Sequence, residues 1–157
     1  MTTLAQLEAL TTASKLIGMN LRLTIVGALT GVSDRTLRKM WREIHGKSSS
    51  NGKLPESVLS FITSRQAAAD IAAFMSVYLH QCGPVKTIDP KKLTYALELC
   101  ARMNIEVNIN IAYYGLRDLR AGLISFPKCS GCGAKFIYDT EKKHTNRCPF
   151  CNQSPTK

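Results

Sequence analysis

The stretch Thr24-Ile-Val-Gly-Ala-Leu-Thr-Gly-Val-Ser-Asp-Arg-Thr-Leu-Arg-Lys-Met-Trp-Arg-Glu43 decides the fold, and it divides at Gly31-Val32-Ser33. Before the division, Ile25, Val26 and Leu29 share an inward helical face, and Gly27 leaves room for a second helix to cross closely. Gly31 supplies the turn, because glycine tolerates the positive φ that a tight helix end needs. Val32 plugs the junction, Ser33 caps the next helix, and Asp34 adds a favourable charge to its first turn. In that second helix Leu37, Met40, Trp41 and Ile44 recur at i, i+3, i+4 and i+7, which sets them on the core side. Arg35, Arg38, Lys39 and Arg42 repeat the spacing two residues earlier. They form a separate basic stripe, rotated by about 160° at about 100° per residue.

A basic stripe opposite a packed one, after a glycine turn, is what a helix needs to enter the major groove of double-stranded DNA. The region at about 24–45 therefore reads as a helix-turn-helix. Arg35 and Arg38 are the candidates for base contacts, since the planar guanidinium matches guanine with a better-defined bidentate geometry than lysine does. Thr36 lies where such a helix first meets base edges, and Lys39 and Arg42 are assigned to phosphates. A basic helix face by itself is often only solvated, and tri-helical units also serve as protein-interaction modules. The charge of the whole chain tips the balance.

That charge is +10, from 21 Lys and Arg against 11 Asp and Glu in 157 residues. It favours an anionic partner, nucleic acid before membrane. Residues 1–50 are net +4, 51–127 net +2 and 128–157 net +4, so both ends are candidate contacts and the middle has a scaffold's composition. No apolar stretch approaches the ~20 residues that cross a bilayer. Met1 to Leu10 lacks the basic-then-apolar order of a signal peptide, so a cytoplasmic, nucleoid-associated protein with no membrane partner is expected.

Helical patterns follow along the chain. Leu4, Leu7, Ala9, Leu10, Ala13, Leu16 and Ile17 predict a first helix, and residues 46–55 (GKSSSNGKLP) a loop. Ser64 caps a helix through Arg65 to Cys82, which Gly83-Pro84 stops, and Asp89-Pro90 starts the next. Between Glu106 and Leu123, Val107, Ile109 and Ile111 alternate like a strand. The longer stripe Ile109, Ala112, Tyr113, Leu116, Leu119, Leu123 predicts helix. Dispersed carboxylates and three unpaired histidines form no catalytic constellation, so no enzyme is expected.

Beyond Phe126-Pro127 the texture changes, and the chain is expected to divide into an all-helical domain, 1–127, and a small module, 128–157. The module has too little apolar material for its own core. Cys129-Ser-Gly-Cys132 and Cys148-Pro-Phe-Cys151 offer four thiolates, a set that suits one structural Zn2+ with a closed tetrahedral shell. An iron–sulfur or redox site and disulfides are the alternatives. Lys135–Tyr138 and His144–Arg147 read as the two strands of a zinc ribbon, and Gly131 and Gly133 as knuckle glycines. Lys135, Lys142, Lys143 and Arg147 either offset the charge of the thiolates or contact phosphates. Cys82 and Cys100 read as small buried hydrophobes.

Together the two motifs resemble the FlhC family, the C subunit of the bacterial flagellar master transcriptional activator. The likeness runs through Leu16-Ile17, Arg22-Leu23, Thr30-Gly31-Val32-Ser33, Leu37, Lys39 to Glu43, His45-Gly46, Lys53-Leu54-Pro55, Arg120 to Leu123, and both cysteine pairs. It implies a helical fold with a C-terminal zinc module held by Cys129, Cys132, Cys148 and Cys151. It implies a sequence-specific activator subunit that joins a small helical D-type partner, four D with two C, on promoter DNA and recruits RNA polymerase. Residues 64–123 would be the docking scaffold. The chain's end six residues after Cys151 resembles shorter relatives on conjugative plasmids and integrative elements, which suggests transfer promoters as targets. The competing expectation is a zinc-containing adaptor that binds only the partner subunit and polymerase.

Overall fold

Local signals start and stop most of the helices. Thr3 accepts a hydrogen bond from the Gln6 N–H while the Gln6 side chain accepts from Thr3 N–H, a reciprocal cap that opens α1, Leu4–Gly18. Helix α2, Leu23–Thr30, ends on Gly31 at φ 75°, and Ser33 caps α3, Asp34–His45, by accepting from the Thr36 N–H. Ser64 caps α4, Arg65–Cys82, and Asp89 followed by proline opens α5, Pro90–Arg102. Asn108 caps α6, Ile109–Arg120. The computed structural model describes residues 3–50 and 52–153. The first two residues of the Met1 to Leu10 stretch, Asn51 of the loop and the last four residues of the cysteine module lie outside the described residues.

Among the described residues the chain is mainly α-helical and has no sheet. Helices α1, α2 and α3 pack on one another, as do α4, α5 and α6, and α1 meets α5. One hydrophobic core runs through both groups, with Leu16, Ile17, Val26 and Leu37 at one end and Phe74, Met75, Leu93 and Leu116 at the other. No helix of the described residues is long and apolar enough to cross a membrane.

Two polar anchors tie the groups together. Asn110 on α6 accepts from the Arg22 N–H at 2.9 Å and donates to the Asn20 carbonyl at 3.0 Å, fastening the α1–α2 turn. Asp118, fully buried, accepts from the Val58 N–H at 2.7 Å and pairs with Arg117 at 2.8 Å. Arg117 also donates to the Glu56 carbonyl and lies over the Tyr114 ring. The long loop after α3 thereby ends in a single 3-10 turn, Val58–Phe61, pinned to α6.

Three expectations need correction. Ile44 is 41 % exposed instead of packed; His45 takes the core edge, donating Nε2–H to the Ile17 carbonyl at 2.8 Å beside the Trp41 ring. Leu123 is exposed because α6 has already ended: Gly122 turns to φ 71° and the Leu123 N–H closes back on the Asp118 carbonyl. Lys135–Tyr138 does not pair with His144–Arg147 as a ribbon ladder. It lies antiparallel to the segment before the first knuckle, with bridges Ser125–Tyr138 and Lys128–Lys135. The knuckle itself is the reversal that brings those segments together, and the link toward the later segment is the Asp139–Thr145 pair, in which Asp139 N–H donates to the Thr145 carbonyl and the Thr145 hydroxyl to the Asp139 carbonyl.

Trp41 is buried, yet its indole N–H finds no hydrogen-bond partner among the described residues.

Candidate metal centre and nucleic-acid surface

The two cysteine pairs fold alike. Gly133 N–H donates to the Cys129 carbonyl and Cys129 N–H to the Ala134 carbonyl; Asn152 N–H donates to the Cys148 carbonyl and Cys148 N–H to the Gln153 carbonyl. Each knuckle turns through one left-handed residue four places after its first cysteine, Gly133 at φ 81° and Asn152 at φ 62°. Glycine and asparagine are the residues that enter that region most readily. Gly133 was legible as a knuckle glycine, whereas Asn152 was not, although its residue type was the available signal.

This symmetry brings Cys129, Cys132, Cys148 and Cys151 together with all four sulfurs within 4.8 Å of one another. The closest approaches cross between the knuckles, Cys129 to Cys151 at 3.5 Å and Cys132 to Cys148 at 3.6 Å. Four converging thiols can chelate one metal ion. The Cys132 backbone N–H holds the Cys129 thiol down, to about 6, against the opposing effect of burial. Burial pushes the Cys148 thiol up, to about 11. Cys129 and Cys148 are buried, Cys151 half-buried and Cys132 exposed.

The cysteine segment is seated on α4. Phe136 packs with Cys129 and Cys148 against Ala72, and Ile137 joins the main core. Arg65, the first residue of α4, donates Nε–H to the Pro149 carbonyl at 2.8 Å and approaches the Phe150 carbonyl at 3.4 Å. Cys82 and Cys100 lie apart from the cluster, half-buried and buried, and burial raises both thiols.

On α3, Leu37 and Trp41 are buried while Arg35, Arg38, Lys39 and Arg42 are exposed. The structure divides that basic stripe. Arg35, Thr36, Lys39 and Arg42 line one shallow surface with Glu43. Arg38 turns the other way, pairing with Asp34 at 2.8 Å in a cleft shared with Arg22 and the loop at Ser49-Ser50. Thr36 keeps its hydroxyl on Ser33. Among the described residues no carboxylate forms an ion pair with Arg35, Lys39 or Arg42.

The basic residues of the cysteine segment also separate. Lys142 lies in a groove beside the 3-10 turn with Lys53, Lys143 and Arg147 line a smaller cleft with Arg65, and Lys135 sits at the bridge to Lys128. Arg65 was missed by sequence reasoning, because its partners are 84 and 85 residues away.

The family model for the flagellar transcriptional activator FlhC matches residues 2–157. Flagellar transcriptional regulators FlhC of known sequence are similar along most of their length. That of Gallionella capsiferriformans is 29% identical over 96% of this chain and 87% of its own. That of Enterobacter cloacae is 28% identical over 95% of this chain and 82% of its own. That of Sodalis glossinidius is 29% identical over 89% and 75%. With a match from one end of the chain to the other, enclosing both the α2–α3 turn and the cysteine quartet, this protein belongs to the FlhC family of flagellar transcriptional activators.

Proposed function

We propose that the chain is the DNA-reading C-type subunit of a transcriptional activator and not an enzyme. It joins a small D-type partner in a hetero-oligomer, four D with two C, on promoter DNA and recruits RNA polymerase. The observation that carries this reading is α3: Leu37 and Trp41 buried, Arg35, Lys39 and Arg42 exposed on the other side without acidic partners. In this reading α2 and α3 form a helix-turn-helix whose Gly31 turn presents α3 to a major groove. Arg35 and Thr36 face bases, and Lys39 and Arg42 face phosphates.

Arg38 has to leave Asp34 before it can reach a base. We therefore assign it less of the specificity than Arg35. Residues 128–157 form a small module against α4 in which Cys129, Cys132, Cys148 and Cys151 hold one Zn2+. Four thiolates leave no open position, so the ion serves folding, and its role is to fix the knuckles against α4. Lys135, Lys142, Lys143 and Arg147 keep that module basic and available to the DNA backbone.

The test is a titration of the chain, co-expressed with its partner and with metal quantified, against cognate and scrambled duplexes at two salt concentrations. Neutralising Arg35, Lys39 and Arg42 to glutamine is expected to flatten the slope of log affinity against log salt by about 0.9 for every phosphate that the chain no longer neutralises. Arg35→Gln alone should cost cognate DNA more than scrambled DNA. Undiminished binding by the triple variant would make the chain a metal-containing adaptor, with the partner reading DNA. The Arg38–Asp34 pair is the observation on that side, since it occupies one of the four stripe residues.

A further inference from the structure

Where α4 begins, the cysteine segment folds over it and leaves a cleft of about 90 Å3. It is lined by Arg65, Lys143, His144, Asn146, Arg147 and Asn152, together with Pro149 and the quartet's own Cys148. Two guanidinium groups and an ammonium converge there with an imidazole and two carboxamides, and no carboxylate lines it. Lys143 and Arg147 make no ion pair among the described residues. The thiolates of the quartet offset part of this charge from one side, while the solvent side of the cleft offers the cations no carboxylate and is open to an anion.

Arg65 is held in place in advance. Its Nε–H is spent on the Pro149 carbonyl and one Nη–H on the Phe150 carbonyl, which fixes the guanidinium plane and leaves the remaining N–H groups for a ligand. Asn152 is locked by the left-handed turn of the second knuckle. The cleft is too small for a nucleobase and suits one tetrahedral oxyanion. It also continues outward: Lys142 precedes Lys143 and shares the neighbouring groove with Lys53.

We propose that this cleft is a phosphate-binding site that takes a backbone phosphate of the same duplex that α3 reads. Arg65, Lys143 and Arg147 are its cationic contacts. The proposal rests on the DNA-binding reading, and it adds a contact made jointly by a helix of the main core and the cysteine segment. A phosphate there neutralises the cluster and clamps the segment onto α4, so DNA and metal cooperate in ordering the same junction.

The experiment uses the complex with its partner subunit, its metal content measured for every variant. In Lys143→Gln/Arg147→Gln, neither replaced side chain makes a hydrogen bond or ion pair among the described residues, so metal content should hold. The slope of log affinity against log salt should become shallower by about one, equally on cognate and scrambled DNA. Arg65→Lys, which keeps the charge but loses the carbonyl anchor, should weaken both duplexes with little change in slope. An unchanged slope and affinity in the double variant, while Arg35→Gln/Lys39→Gln still weakens binding, overturns the cleft alone. If the α3 variant also binds normally, the DNA reading itself fails and takes the cleft with it. Inorganic phosphate at constant ionic strength is the arm for the other source of this chemistry. Competition that removes the difference between wild type and double variant supports the site, whereas saturation by phosphate with the DNA slope untouched reassigns it to the free anion.

Discussion

Asp118 shows how much one side chain can hold and how little of that shows in the chain. It is fully buried, and its two oxygens serve the Val58 N–H and the Arg117 guanidinium, which in turn reaches Glu56. Asp118→Ala leaves a buried N–H and a guanidinium without their acceptor, so it should cost about 3 kcal/mol in urea unfolding. A cost below about 1 kcal/mol would mean the Glu56–Val58 loop holds itself. From sequence Asp118 was one dispersed acid among several. Asn110 and Arg65 were equally mute, because the contacts that matter to Asp118, Asn110 and Arg65 lie 60, 88 and 84 positions away. The cysteines were legible, since their pairs are local and their chemistry is narrow. Cys129→Ser removes a thiol that neighbouring backbone N–H groups hold toward its ionised form, and should abolish metal binding and open the segment to protease. Retained metal with retained protease resistance would contradict a folding role for the quartet.

At the scale of elements, the sequence specified ends better than faces. Ser64 with Gly83, and Asp89 with Pro90, bounded α4 and α5 because caps act within a few residues. Which side of a helix is covered depends on distant neighbours. Hence Ile44 fell outside the core while His45 took the edge, and Tyr114, not Tyr113, became the buried tyrosine of α6. The pairing of Lys135–Tyr138 went astray for the same reason, since the knuckle's reversal is itself a product of the assembled quartet. The turn between α2 and α3 gives a sharper contrast. Gly31 sits at φ 75°, where a β-carbon is strained, so Gly31→Ala should lose about 1–2 kcal/mol. Gly27 is different: an added β-carbon would meet Leu37 Cδ1 at 3.4 Å, an ordinary contact. Its expected role in close crossing is thus modest, and Gly27→Ala should be neutral or gain up to about 1 kcal/mol in thermal melting. A large loss at position 27 would show that α2 and α3 cannot yield even slightly.

Taken whole, the molecule joins a helical core to a segment that has few apolar residues of its own, and in the proposed reading a metal held by the quartet keeps the two in register. Loading must displace the proton that burial keeps on Cys148, whose thiol stands at about 11, well above neutral pH. Cys129, at about 6, is already largely thiolate there. Apparent metal affinity should therefore fall at least about tenfold per unit as pH drops from about 8 to about 6, and more steeply once Cys129 also takes up its proton. Competition with a chelator of known affinity measures this, and a flat profile would remove the quartet's thiols as the ligands. Removal of the ion should uncover Phe136 and Ala72 while α1, α2 and α3, packed on one another, stay folded. The chain carries a single tryptophan, Trp41, placed on α3 with its indole N–H unpartnered and its ring 4.3 Å from that of His45. Its emission is thus an optical gauge of one end of the protein only, steady as a chelator strips the other end and changing when α3 itself lets go.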